Sequence, residues 1–135
     1  MIKKMAANNQ SQLLLLQYCK DIDTWPERWV GESTDIQIGR KINDYFKQYL
    51  IDCIERKCAK STIKIYARYL LALGKELIRF LHEDDSDRQL SAMELILKYT
   101  DSSGDAYWRH AHDGFEQRRY DSVYKQLFKF VVNIS

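Results

Sequence analysis

Apolar residues recur every three or four positions through most of this chain, and short polar stretches separate the runs they form. Ile38, Ile42, Tyr45, Phe46, Tyr49, Leu50, Cys53 and Ile54 keep that spacing and predict an amphipathic helix over residues 38–56. Ile63, Tyr66, Leu70, Leu73, Leu77 and Leu81 make a second stripe, widened by Ile65, Tyr69 and Ile78. A helix apolar over so much of its circumference belongs at the centre of a fold. Phe115, Tyr120, Val123, Tyr124, Leu127, Phe128 and Val131 predict a last helix over residues 115–132. Residues 13–22 read as a first helix and residues 92–100 as a fourth.

The polar positions supply start and stop signals. Asp35 is a start signal for the helix over 38–56, with Gly39 tolerated in its first turn. Ser61 or Thr62 places a hydroxyl where the next helix needs a cap. In LSAMEL, Ser91 and Glu94 have capping-box spacing, and Leu90 and Leu95 stand where a hydrophobic staple needs them. Pro26 fits the first turn of a short helix in TWPERW. Trp25 and Trp29, four apart, clamp that segment onto the core; ligand stacking is the sharper reading of the same pair. Gly74 falls mid-helix, where glycine costs about 1 kcal/mol against alanine. Close packing by a neighbouring helix explains it. Residues 101–105, DSSGD, form a turn.

Composition narrows the class. One proline and five glycines in 135 residues argue against a turn-rich β fold. The expectation is an all-α, single-domain bundle of about five helices over residues 11–135, with residues 1–10 a flexible N-terminus. Net charge is only +2, but it is unevenly spread. Residues 58–80 carry five basic groups against one acidic, and residues 81–105 carry two against seven. Lys64, Arg68, Lys75 and Arg79 fall within an arc of roughly 60° on their helix. Arg118, Lys125 and Lys129 cluster on the outer edge of the last one. These two basic edges are the candidate nucleic-acid contacts; the plain alternative is the solvated side of each helix.

Three cysteines, Cys19, Cys53 and Cys58, make no disulfide framework and suit a reducing compartment. The apolar run Leu13–Leu16 is far shorter than the roughly 20 residues of a membrane span. No targeting or membrane segment is read, and the expected location is the cytoplasm. No Gly-rich phosphate loop or nucleophile elbow occurs, and no catalytic residue, cofactor or metal site is assigned. His110 and His112, two apart, align on a strand but not on a helix. With Asp113 they make a weak metal group, or simply a polar loop beside Trp108. Tyr107 and Trp108 are the candidate anchors for a protein partner.

The stretch AKSTIKIYARYLLAL, and with it residues 59–81, resembles the start of the core-binding (SAM-like) domain of tyrosine recombinases and phage integrases. Thr62, Ile63, Lys64, Tyr66 and Leu70 fit the family's pattern, and Ala59 stands where the family has a serine. The resemblance implies a small helical domain that lays helix edges against DNA phosphates. It does not extend to the recombinases' catalytic domain. TWPERW, then STIKIYARYLLALGKELIRFLHED, then QRRYDSVYKQLFKF, also resembles a group of small bacterial proteins with no assigned activity. That likeness implies a bacterial or mobile-element origin. SSGDAYW departs from it, since the group carries a Gly-Gly-Pro turn there.

Two functional expectations follow. One is a non-catalytic protein-interaction or regulatory module, with an unidentified protein or a second copy of the chain as partner. The other is a DNA-binding module that uses the basic edges on duplex DNA.

Overall fold

The computed structural model describes residues 9–30, 33–100 and 114–134. Among them are six α-helices and no strand, so the all-α class holds. The helices are α1 (Asn9–Tyr18), α2 (Trp25–Trp29), α3 (Ile36–Glu55), α4 (Lys60–Glu83), α5 (Ala92–Thr100) and α6 (Gly114–Ile134). The sixth helix beyond the expected five is the short α2, which opens on Trp25 and Pro26 as the proline requires. No helix among the described residues is long and apolar enough to cross a membrane. The anchors Tyr107 and Trp108, the pair His110 and His112, and the side chain of Phe115 lie outside the described residues.

α3 and α4 are the centre. They touch each other, and each touches α1, α2, α5 and α6. Their stripes supply the largest part of the core, including Ile42, Phe46, Tyr49, Leu50 and Cys53 from α3 and Ile63, Leu70, Leu73 and Leu77 from α4. On α6 the buried set is Tyr120, Val123, Tyr124, Leu127, Phe130 and Val131. Phe130 is buried in place of the expected Phe128, because its ring meets the edge of Tyr49 at 5.7 Å.

Several boundaries differ from expectation, each for a visible reason. α1 opens at Asn9, inside the segment expected to be flexible, and ends at Tyr18 rather than residue 22. Its buried side is Ser11, Leu15 and the following Cys19, a four-residue repeat. The chain then makes a 3-10 turn at Ile22–Thr24. Buried Asn43 of α3 fixes that turn by donating to the Ile22 carbonyl at 2.9 Å.

α4 starts at Lys60 with Ala59 as its cap residue, and neither Ser61 nor Thr62 caps it. The reversal before it is set by α3 instead. Cys58 N–H donates to Cys53 carbonyl at 3.0 Å and Lys57 N–H to Ile54 carbonyl at 2.9 Å. This is the Schellman pattern, with Lys57 left-handed at φ 67°.

Two local signals are met as read. Ser91 N–H donates to Glu94 Oε1 at 2.9 Å and Glu94 N–H donates to Ser91 Oγ at 3.1 Å, a reciprocal capping box. Gly74 is where α2 presses on α4: a Cβ there would lie 2.2 Å from Trp29 Cζ2. Trp29 is anchored by its indole N–H, which donates to the Leu71 carbonyl at 2.9 Å.

Candidate functional site

The buried residues of α4 put its core-facing side near Leu70, Leu77 and Leu81. Lys64, Arg68 and Lys75 lie on the opposite side of the helix, and all three are exposed. From Lys64 to Lys75 the row runs about 16 Å along the axis. None of the three has an ion-pair or hydrogen-bond partner among the described residues.

Arg79 is different. Glu76 and Glu83, three residues before it and four after, both bind its guanidinium. The hydrogen bond that Arg79 donates to Glu76 is the main cause that raises its pKa. The sequence placed four cations in one arc; the structure leaves three of them open and neutralises the fourth.

His82 continues the same arc at the end of α4, and it too is occupied. Its Nε2 lies 2.7 Å from Asp35 Oδ2. Arg88 Nη1 donates to the other oxygen of Asp35 at 3.1 Å, and Arg88 Nη2 approaches His82 Nδ1 at 3.4 Å. Arginine can only donate, so Nδ1 accepts and Nε2 carries the proton toward Asp35. Asp35 is 1% exposed. It sits at the cap position of α3 without capping it, because its carboxylate reaches across to α4 and the connector.

A second buried acid, Asp87, receives the Lys98 ammonium at 2.5 Å and the Tyr99 hydroxyl at 2.5 Å. Tyr99 stacks on Phe80 at 4.2 Å. The connector HEDDSDR therefore has two functions in the fold. Glu83, Asp84 and Asp85 are exposed, as a solvated run would be. His82, Asp87 and Arg88 tie the connector to α3 and α5. Connectors have no apolar period, so nothing in the pattern singles out Asp87.

On α6, Arg118, Lys125 and Lys129 are exposed and stand opposite Tyr120, Leu127 and Val131. The α4–α6 contact passes through Tyr69 and Tyr120, whose rings meet at 4.0 Å. At 100° per residue the α6 cations point roughly 180° away from that contact, and Arg68 roughly 100° away from it on α4. The two basic edges are thus on neighbouring helices but face different directions.

Among the described residues Tyr49, Tyr69, Tyr99, Tyr120 and Tyr124 are buried in the core. Burial is the first cause that pushes the Tyr49 and Tyr124 hydroxyls above their ordinary pKa, so both remain phenols at neutral pH. Tyr49 donates its proton to Gln126 Oε1 at 2.9 Å, which joins α3 to α6.

Comparison of the chain with protein-family models, with curated proteins and with solved structures finds no match.

Proposed function

We propose that this protein is a non-catalytic binding module whose working surface is the outer face of α4, laid against the phosphate backbone of duplex DNA. The observation that carries the reading is the open row Lys64, Arg68 and Lys75, exposed and without acidic partners among the described residues. Several other cations are held by acids, Arg28 by Asp21, Lys47 by Asp23, Arg56 by Asp52 and Arg88 by Asp35, while Lys20, Lys57, Lys60 and the α6 edge of Arg118, Lys125 and Lys129 are exposed like the row. Arg40 and Lys41 on α3 are also exposed, but they are adjacent in sequence and form no row. Duplex DNA carries one charge per about 1.7 Å of axis, so a row of this length faces several phosphates. The resemblance of residues 59–81 to the recombinase core-binding segment points the same way.

Three phosphate contacts give a slope of about −2.7 in log affinity against log salt, or roughly a 40-fold loss between 50 and 200 mM. Anisotropy titrations of a labelled random-sequence duplex across that range measure the slope. Absence of binding at the lowest salt, or binding indifferent to salt, would refute the reading.

A second reading, a protein-interaction module, is favoured by α1. That helix carries no charged residue and leaves Leu13 60% and Leu16 40% exposed. Self-association in sedimentation velocity that Leu13→Lys abolishes would move the working surface there.

A further inference from the structure

Lys64 and Arg68 also border a cleft of about 300 Å³ where the end of α1, the start of α2 and the first half of α4 meet. That volume is at the lower end of the range for small-molecule sites, about 300–1,000 Å³. Tyr18, Trp25, Ala67 and Leu71 give it apolar walls. Asp21 is on the rim, but its carboxylate is engaged by Arg28 at 2.7 Å. Lys64 and Arg68 therefore leave the cleft with cationic charge that no described acid takes up.

The two tryptophans of α2 differ in one respect. The Trp29 indole N–H donates to Leu71, whereas the Trp25 indole N–H finds no acceptor among the described residues. Trp25 is 2% exposed and lines the cleft. That nitrogen is itself closed to solvent, so the cleft meets the Trp25 ring and not its N–H. Cys19, also in the lining, is a neutral thiol whose pKa burial raises, in keeping with a dry floor.

We propose that this cleft binds a small organic carboxylate: its apolar body packs on Tyr18, Trp25, Ala67 and Leu71, and its carboxylate pairs with Lys64 and Arg68. The planar guanidinium of Arg68 matches a carboxylate, and the apolar walls exclude a bare inorganic anion. The inference stands apart from the DNA reading, since it needs the cleft and not the full row.

The test uses the full chain labelled with nitrogen-15, with the Trp25 indole resonance assigned by its absence in Trp25→Phe. Hexanoate, octanoate and 4-phenylbutyrate are titrated, each against its primary amide. The expected result is a saturable shift of the Trp25 indole N–H by at least one acid, with the acid binding about tenfold or more tightly than its amide. Lys64→Gln/Arg68→Gln, on the surface and safe for folding, removes that preference. The proposal is overturned if none of the three acids moves the resonance saturably at millimolar concentration. It is equally overturned if acid and amide bind alike.

Discussion

Gly74→Ala should destabilise the protein although it replaces the second-worst helix former with the best. In a free helix interior the change is worth about 1 kcal/mol in favour of alanine. Here the new Cβ would stand 2.2, 2.3 and 2.6 Å from Trp29 Cζ2, Cε2 and Cη2. The ring must retreat by more than an ångström, and it has little room. Trp29 is 6% exposed, Phe46 meets its face edge-on at 5.8 Å, and Trp25 lies at 6.2 Å. Overpacking of this kind costs about 1–3 kcal/mol. The retreat also strips the indole N–H from the Leu71 carbonyl, and a buried donor left unpaired costs about 1–3 kcal/mol more. After the helix gain is subtracted, the net loss is about 1–5 kcal/mol, centred near 3, or roughly 9–15 °C in Tm at the centre for a domain of this size. Urea and thermal melts followed by far-ultraviolet circular dichroism read it directly. In a Trp29→Phe background, which removes the clashing ring atoms, Gly74→Ala should become close to neutral. Gly39 is the internal control, since its Cβ would meet Pro26 and Val30 at an ordinary 3.5–3.7 Å. There alanine should gain about 0.5–1 kcal/mol. A neutral or stabilising Gly74→Ala would refute the packing of α2 on α4.

Lys57 takes the left-handed position that closes α3, so Lys57→Gly should raise stability by about 0.5–1 kcal/mol, read from the urea midpoint. His82→Ala/Arg88→Ala strands the carboxylate of Asp35, which is 1% exposed, and should cost about 3–5 kcal/mol. Asp35→Ala should cost less than half of that, because His82 and Arg88 are each 39% exposed and regain water; equal costs would contradict the buried-charge argument. Burial pushes the Cys53 thiol up to about 11 from an ordinary 9.0. The folded state keeps that proton after the unfolded chain has released it. The thiol's contribution is therefore whole below pH 9 and falls by up to about 1.4 kcal/mol per pH unit between pH 9 and 11. Urea midpoints of wild type should drop across that window relative to Cys53→Ala. In the native protein at pH 8, Ellman's reagent should modify Cys58 first, since Cys19 and Cys53 are buried.

The helices were legible because their periods are long and their apolar stripes wide. Ser91 and Glu94 located the start of α5 to the residue, since a capping box is a local interaction between neighbours in sequence. Gly74 could be read as a close approach, though not as an approach by Trp29. Interactions across the fold left no such trace. Asp35 looked like a cap and is instead the partner of His82 and Arg88, from 47 and 53 residues away. Asp87 stands in a polar connector that has no apolar period and is 0% exposed. On the candidate surface, periodicity put Arg79 in the basic arc, and only the positions of Glu76 and Glu83 remove it. Phe128 and Phe130 are both aromatic and nearly adjacent, and the choice between them depends on where Tyr49 lies.

The most direct test of the α4 surface compares two double substitutions that remove the same charge. Arg68→Ala/Lys75→Ala takes two cations from the row; Arg40→Ala/Lys41→Ala takes two from α3. Duplex affinity is measured for both by fluorescence anisotropy at 50 mM salt. The account predicts that the first weakens binding by about tenfold or more and lowers the salt slope by about 1.8, while the second stays within about threefold of wild type. Equal losses from the two variants would mean that only net charge draws the protein to DNA, and the row on α4 would be no more than the wet side of a central helix.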